Sequence, residues 1–359
     1  MQKGCLKIMN NVTVTIYSTN EEAFKSSVPK MQHMLCSKEL GQYAMDAAKL
    51  AGCTEEAGKE YVIALDSAVP FITAETIKAA IEYHIAKNNK STAIVSYENV
   101  VGFVLNSDVY KESNLPAQAD DNFAAPEMFY IKTRIDFAEA EKMMQKAVNE
   151  KLMLEGVTIH SPETVMISPD AEIGKDTEIF ANVVIEGASK IGENVVITST
   201  TKIVNSEIAD GVSIQSSVIL DSKIGENTTV GPFAYVRPNC VVGANARIGD
   251  FVELKNCNIG NGTKVSHLTY VGDADVGEKC NFGCGTVTVN YDGKKKYRTV
   301  IGNNVFVGCN SNLVAPVTLN DGAYTAAGST ITDEVPENQL AIARARQINK
   351  AGWKDRRNG

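Results

Sequence analysis

Between residues 173 and 308 the chain keeps returning to one two-residue word, an aliphatic side chain followed by a small one. It stands at Ile173-Gly174, Ile191-Gly192, Ile208-Ala209, Ile224-Gly225, Val242-Gly243, Ile248-Gly249, Ile259-Gly260, Val276-Gly277, Ile301-Gly302 and Val307-Gly308. Many of the gaps are six residues or close to three times six. A hexad period of this length marks a parallel β-helix, in which each coil stacks its inward aliphatics on those of the next. The period does not fix the hand of the coil, because parallel crossovers are right-handed in most sheets.

Before residue 160 the pattern is different. Apolar runs such as "EYVIALDSAVPFI" (60–72) alternate with helix-like stretches such as "KELGQYAMDAAKLAG" (38–52). "TAETIKAAIEYHIAK" (73–87) adds a helix with Thr73 as N-cap and Glu75 in its first turn. Alternating strands and helices predict a small α/β domain. Residues 111–127 read as an exposed loop. "DFAEAEKMMQKAVNEKLMLEG" (136–156) puts Phe137, Ala140, Met144 and Val148 on one face and ends at Gly156, as a linker helix would. The expected organisation is an α/β domain over 1–135, a linker helix over 136–157, a β-helix over 158–339 and a basic tail over 340–359.

Composition excludes several classes. The eight cysteines (Cys5, Cys36, Cys53, Cys240, Cys257, Cys280, Cys284, Cys309) form no CxxC pair, which argues against a disulfide framework and a zinc site. A net charge of −8 gives no reason to expect nucleic acid. No apolar run is long enough for a bilayer, and the first residues carry no signal core, so a cytoplasmic location is expected. Positive charge is local, at Lys294–Lys296 and in "RARQINKAGWKDRR" near the end. The first of these interrupts the hexads just after His267, one of only four histidines.

The words around that interruption are specific. "VGPFAYVRP" (230–238), "GDFVELKN" (249–256), "VSHLTYVGDADVG" (265–277) and "NFGCGTVTVNYDGKKKYRT" (281–299) come in order, followed by "VFVGCNSNLVAPVT", "AAGSTIT" and "LAIARARQ". Together they closely resemble the C-terminal half of the bacterial bifunctional glucosamine-1-phosphate N-acetyltransferase / N-acetylglucosamine-1-phosphate uridylyltransferase family, nearly continuously from about residue 136 to 350. The resemblance implies a left-handed β-helix, a homotrimer, and acetyl transfer from acetyl-CoA to the amine of glucosamine 1-phosphate. That reaction supplies precursors for cell-wall polysaccharide.

Residue by residue, the resemblance puts the catalytic base at His267 and substrate contacts at Arg237, Lys255, Tyr270, Asn281 and Lys296. It puts coenzyme contacts at Cys284, Asn290, Tyr291, Cys309, Ala327 and Arg344. The chemistry suits these types. A sugar amine must lose a proton to attack a thioester, and histidine titrates in the right range. A β-helix offers no helix N-terminus for a phosphate, which leaves side-chain cations to grip it. His33, His84 and His160 match no catalytic word and read as surface or structural residues. Cys309 departs from relatives that carry serine there, and a thiol is the weaker hydrogen-bond donor. Direct transfer needs no acyl-enzyme, so neither Cys284 nor Cys309 is read as a nucleophile.

In the first half the resemblance has gaps. "KSSVPKMQHML" (25–35) places Lys30 at the family's nucleotidyltransferase lysine, but Ala68 and Lys132 stand at its two metal-binding positions. "STNEEAF" (18–24) replaces the glycine-rich phosphate loop. Without that loop and a carboxylate for magnesium, uridylyl transfer is expected to be lost and magnesium is not expected. The alternatives are a β-helix acetyltransferase acting on another phosphorylated amino sugar, or a non-catalytic regulatory scaffold.

Overall fold

The computed structural model describes residues 9–110, 115–351 and 353, so Cys5 and the end of the basic tail lie outside the described residues. The chain forms two compact units, 1–147 and 148–359.

In the first unit β1 (Val12–Tyr17), α1 (Leu40–Ala51), β2 (Tyr61–Asp66), α2 (Ala74–Lys87), β3 (Ser91–Ser96), β4 (Asn99–Asn106) and β5 (Asp121–Ala124) build a sheet of order β1-β2-β4-β3-β5. β1 and β2 run parallel, while β4 is antiparallel to β2 and β3. Thr73 caps α2 by accepting from Thr76 N, and Gly52 ends α1 at φ 98°. The expectation of a loop over 111–127, of which 111–114 lie outside the described residues, needs correcting at 121–124. Residues 121–124 are an edge strand parallel to β3, held by Asp120 accepting from Lys90 N and Ser91 N and by Tyr83 Oη donating to Asp121. A four-residue edge strand anchored by side chains leaves little hydrophobic alternation to read.

α3 runs from Arg134 to Leu154, with Ala140 and Met144 buried. In the second unit its last turns pack Val148, Leu152 and Met153 against the β-helix core, and Asn149 Nδ2 donates to Pro162 O and Val165 O. The helix end thereby covers the open first coil, which would otherwise expose apolar side chains and unpaired strand edges.

Among the described residues the β-helix has three parallel faces of 11, 10 and 9 strands. The first runs from Thr158–Ile159 to Leu340–Ala341, the second from Met166–Ile167 to Thr330–Ile331, and the third from Glu172–Ile173 to Val317–Leu319. One inward aliphatic per face explains the hexad: Ile179, Ile185, Ile191, Ile197 and Ile203 lie on successive faces, all buried. Each such side chain contributes about 1.5–3 kcal/mol by leaving water. On the third face Ile173, Ile191, Ile208, Ile224, Val242, Ile259, Val276 and Ile301 stack in register, whereas Ile248 and Val307 belong to the first. Buried hydroxyls such as those of Thr177, Thr228 and Thr263 donate to carbonyls of the next coil and satisfy the turns. The tail's first residues, Leu340–Ala341, pair with Tyr324–Thr325 and so extend the coil. Among the described residues no helix is long and apolar enough to cross a membrane.

Candidate active site

His267 ends the strand Lys264–His267 on the first face, in register with Asp250 one coil below. The imidazole is half exposed, and its Nδ1 lies 2.5 Å from Asp250 Oδ1. The contact with His267 holds the Asp250 carboxyl below the usual carboxylate range. An ionised carboxylate only accepts, so Nδ1 carries the hydrogen and Nε2 presents its lone pair outward. Glycine precedes Asp250 for a steric reason: a Cβ at Gly249 would sit 2.0 Å from Ser266 O. The sequence words contain Asp250, but its pairing with the histidine is visible only once the coils are stacked.

Stacking also orders the residues expected to meet a coenzyme. Val265, Phe282, Val307 and Thr325 form one ladder. Two residues further on, His267, Cys284, Cys309 and Ala327 occupy equivalent corner positions in successive coils. Asn310 N donates to Cys284 O and Gly328 N to Cys309 O, both at 2.8 Å. Arg344 Cδ lies 3.8 Å from where a Cβ on Gly328 would be, beside Ala327. Asp250, His267, Cys284, Cys309 and Ala327 thus form one column with Arg344 near its end.

The cations gather on the second face. Arg237 Nη1 donates to Glu253 Oε1 at 2.8 Å, and this contact raises the guanidinium further above its ordinary value. Lys255 and Lys296 are neighbours, and the Lys296 ammonium lowers Lys255 below the ordinary lysine value. Two adjacent ammonium groups are a ready seat for a polyanion. Tyr270 lies one coil above Glu253, and its ring folds over Gly272, where a Cβ would meet Tyr270 Oη at 2.2 Å.

Lys296 arrives on the interruption of the repeat. Third-face strands recur every sixteen to eighteen residues except between Val276 and Ile301, which are 25 apart. The extra residues form a small hairpin with a Tyr291–Lys296 bridge, and Asp292 Oδ1 accepts from Lys294 N and Lys295 N across its tip. At its base Asn290 Nδ2 donates to Asp273 Oδ2 at 2.5 Å and reaches Tyr270 Oη at 3.3 Å, while Asn256 holds the other Asp273 oxygen. At the far end Arg298 grips both oxygens of Asp275. Asp273, Asp275 and Arg298 were not singled out from sequence, because their partners lie in other coils.

The expected residues therefore fall into two groups. Arg237, Lys255, Tyr270 and Asn290 lie along the second face, Lys296 reaches Lys255 from the hairpin, and Tyr291 is exposed on that hairpin. His267, Cys284, Cys309 and Ala327 line a first-face corner, and Asn281 lies on the first face between Lys264 and Phe306. In one chain the structure does not bring Asn281 to the cations.

In the first unit Lys30 is fully buried, with Nζ donating to Thr19 O at 2.6 Å and Ile131 O at 3.1 Å. Glu21 begins a one-turn helix, Glu21–Phe24, where the phosphate loop was sought, and its carboxylate accepts from Lys30 N. Ala68 is buried, and the Lys132 ammonium lies over the Tyr130 ring. The nearby carboxylate, Asp66, is also buried and accepts from Thr19 Oγ1, Tyr130 Oη and Ala68 N.

Residues 221–256 and 298–333 match the family described as "Bacterial transferase hexapeptide (six repeats)". The bifunctional protein GlmU of Clostridium botulinum (strain ATCC 19397 / Type A) is 57% identical over 231 residues, 64% of this chain and 50% of the relative. That of Clostridium beijerinckii is 57% identical over 227 residues, 63% of this chain and 50% of the relative. The chain spans about half the length of these curated relatives. Among solved structures, the Francisella novicida UDP-N-acetylglucosamine acyltransferase aligns with TM-score 0.39 and 19% identity, covering 52% of this chain and 67% of that one.

Proposed function

We propose that this chain, whose C-terminal part is homologous to the bifunctional protein GlmU, transfers the acetyl group of acetyl-CoA to the amine of glucosamine 1-phosphate. The product would feed UDP-N-acetylglucosamine and cell-wall synthesis, in the cytoplasm where acetyl-CoA is made. The observation that carries the reading is the single column from Asp250 through His267 to Ala327. Three coil steps of about 4.8 Å extend it roughly 14 Å beyond the imidazole, which suits an extended pantetheine arm with Arg344 facing the phosphates.

In this reading His267 Nε2 takes a proton from the sugar amine as its nitrogen attacks the thioester carbonyl. Asp250 fixes the ring and stabilises the imidazolium. The carbon–sulfur bond breaks, and the coenzyme leaves as its thiol once a proton is returned. Arg237, Lys255 and Lys296 hold the sugar phosphate, with Tyr270 alongside.

The cations and the histidine occupy different faces of one chain, so the site is completed by a second copy in a homotrimer. Phe233, Phe251 and Leu268 support this. They stack at the corner beside His267, each more than half exposed and at positive φ, the strained conformation that glycine or asparagine normally fills.

We also propose that the α/β unit does not transfer uridylyl groups. Its lysine points at backbone carbonyls, and Asp66 is occupied by two hydroxyls. Incubation with UTP, magnesium and N-acetylglucosamine 1-phosphate should release no pyrophosphate, and release would refute this part. For the transferase, product masses from glucosamine 1-phosphate and from unphosphorylated glucosamine separate the alternatives. Acetylation of the phosphorylated sugar alone is expected, equal use of both would remove the phosphate site, and no product from either would leave another phosphorylated amino sugar as acceptor or a scaffold.

A further inference from the structure

Six of the seven described cysteines are at least partly shielded, and five are buried; Cys284 is half-buried and Cys309 exposed. These two accessible thiols stand one above the other. Phe282 pairs with Val307, Asn310 N bonds Cys284 O at 2.8 Å, and a Cβ on Gly283 would lie 2.4 Å from Cys309 N. Both cysteines lie two residues past these in-register strands, in stacked turns that keep the coil spacing of about 4.8 Å, inside the range of about 4.4–6.8 Å between Cα atoms that a disulfide spans. The pair lies in the column that begins at His267.

We propose that Cys284 and Cys309 are a redox-sensitive dithiol that closes to an intramolecular disulfide by exchange with a small-molecule disulfide. The thiolate of Cys309, the more exposed, attacks the reagent RS–SR, forming a mixed disulfide and expelling RS⁻. The Cys284 thiolate then attacks Cys309 Sγ and expels the second RS⁻. The two thiol protons pass to the leaving groups, so two cysteines are oxidised as RS–SR is reduced to two RSH. The closed disulfide ties two coils together at the corner and removes both thiols from the coenzyme groove; this last consequence rests on the proposed acetyl-CoA site. Cys240 and Cys257 are an internal contrast, with sulfurs 3.8 Å apart but both buried, out of reach of a solute.

The test uses the full chain, reduced, desalted, treated with oxidised glutathione, quenched in acid and mapped by mass spectrometry. Wild type should lose two hydrogens and give a Cys284–Cys309 cross-linked peptide that dithiothreitol reverses. Cys309→Ser should instead retain glutathione on Cys284, because the adduct has no partner to displace it. Stable glutathione adducts on both thiols of the wild type, no reaction at either, or a disulfide through Cys240 and Cys257 overturns the proposal. Acetyl-CoA binding by calorimetry should be lost on oxidation and restored by reduction. Unchanged affinity after the disulfide forms overturns the gating step. Reduced protein that binds no acetyl-CoA contradicts the transferase reading while the cross-link result stands.

Discussion

The Asp250 carboxylate meets His267 Nδ1 at 2.5 Å across two stacked coils, seventeen residues apart in the chain. This contact selects the imidazole tautomer whose Nε2 faces outward, which a general base requires. Asp250→Asn keeps the shape but lets the amide offer either a donor or an acceptor, so the tautomer is no longer fixed. The expected outcome in a thiol-release assay is a fall in kcat of about 10–1,000-fold, the scale of such positioning partners. KM should stay nearly constant, because in the proposed reading Asp250 acts through the imidazole and not on the substrate. A rise in KM with kcat intact would mean that Asp250 serves binding instead.

Lys255 and Lys296 give a pH prediction. Lys255 is lowered chiefly by the neighbouring Lys296 ammonium, so its charged form is lost at lower pH than an ordinary lysine's. KM for the sugar phosphate should therefore climb on the alkaline side before the usual lysine value of about 10.4 is reached. In Lys296→Gln, KM is higher throughout, but the climb moves to higher pH because the repelling charge is gone. A limb that stays in place, or moves down, would separate Lys255 from phosphate binding.

The exposed ridge of Phe233, Phe251 and Leu268 bears on assembly. Light scattering should find the wild type as a trimer. Phe251→Glu places a charge on that ridge and should yield smaller species with acetyl transfer reduced at least about tenfold, as for loss of a buried interface anchor. A fully active monomer would contradict a site shared between copies.

The repeat was legible because burial sets it: one inward aliphatic per face returns every six residues whatever the rest of the coil does. What the repeat does not state is which face a residue serves. Ile248 and Val307 carry the same two-residue word as Ile259 yet lie on a different face. Asn281 was grouped with Tyr270 by its neighbouring words, but register puts it on the first face and Tyr270 on the second. The pairing of Cys284 with Cys309 was hidden by the hairpin, which lengthens that coil and breaks the spacing. Asp66 and Tyr130 meet only when β2 and the segment before α3 are folded together, so the sequence showed Ala68 where the resemblance implies a metal-binding carboxylate without showing this nearby contact.

Acetyl-CoA turnover with glucosamine 1-phosphate, followed by thiol release for wild type and His267→Ala side by side, bears most directly on the proposed chemistry. Wild type should turn over, and the variant should fold equally well while losing about 10²–10⁴ in kcat, the usual contribution of a general base. An inactive wild type, or a variant with undiminished kcat, would contradict the assignment of this imidazole as the group that takes the proton.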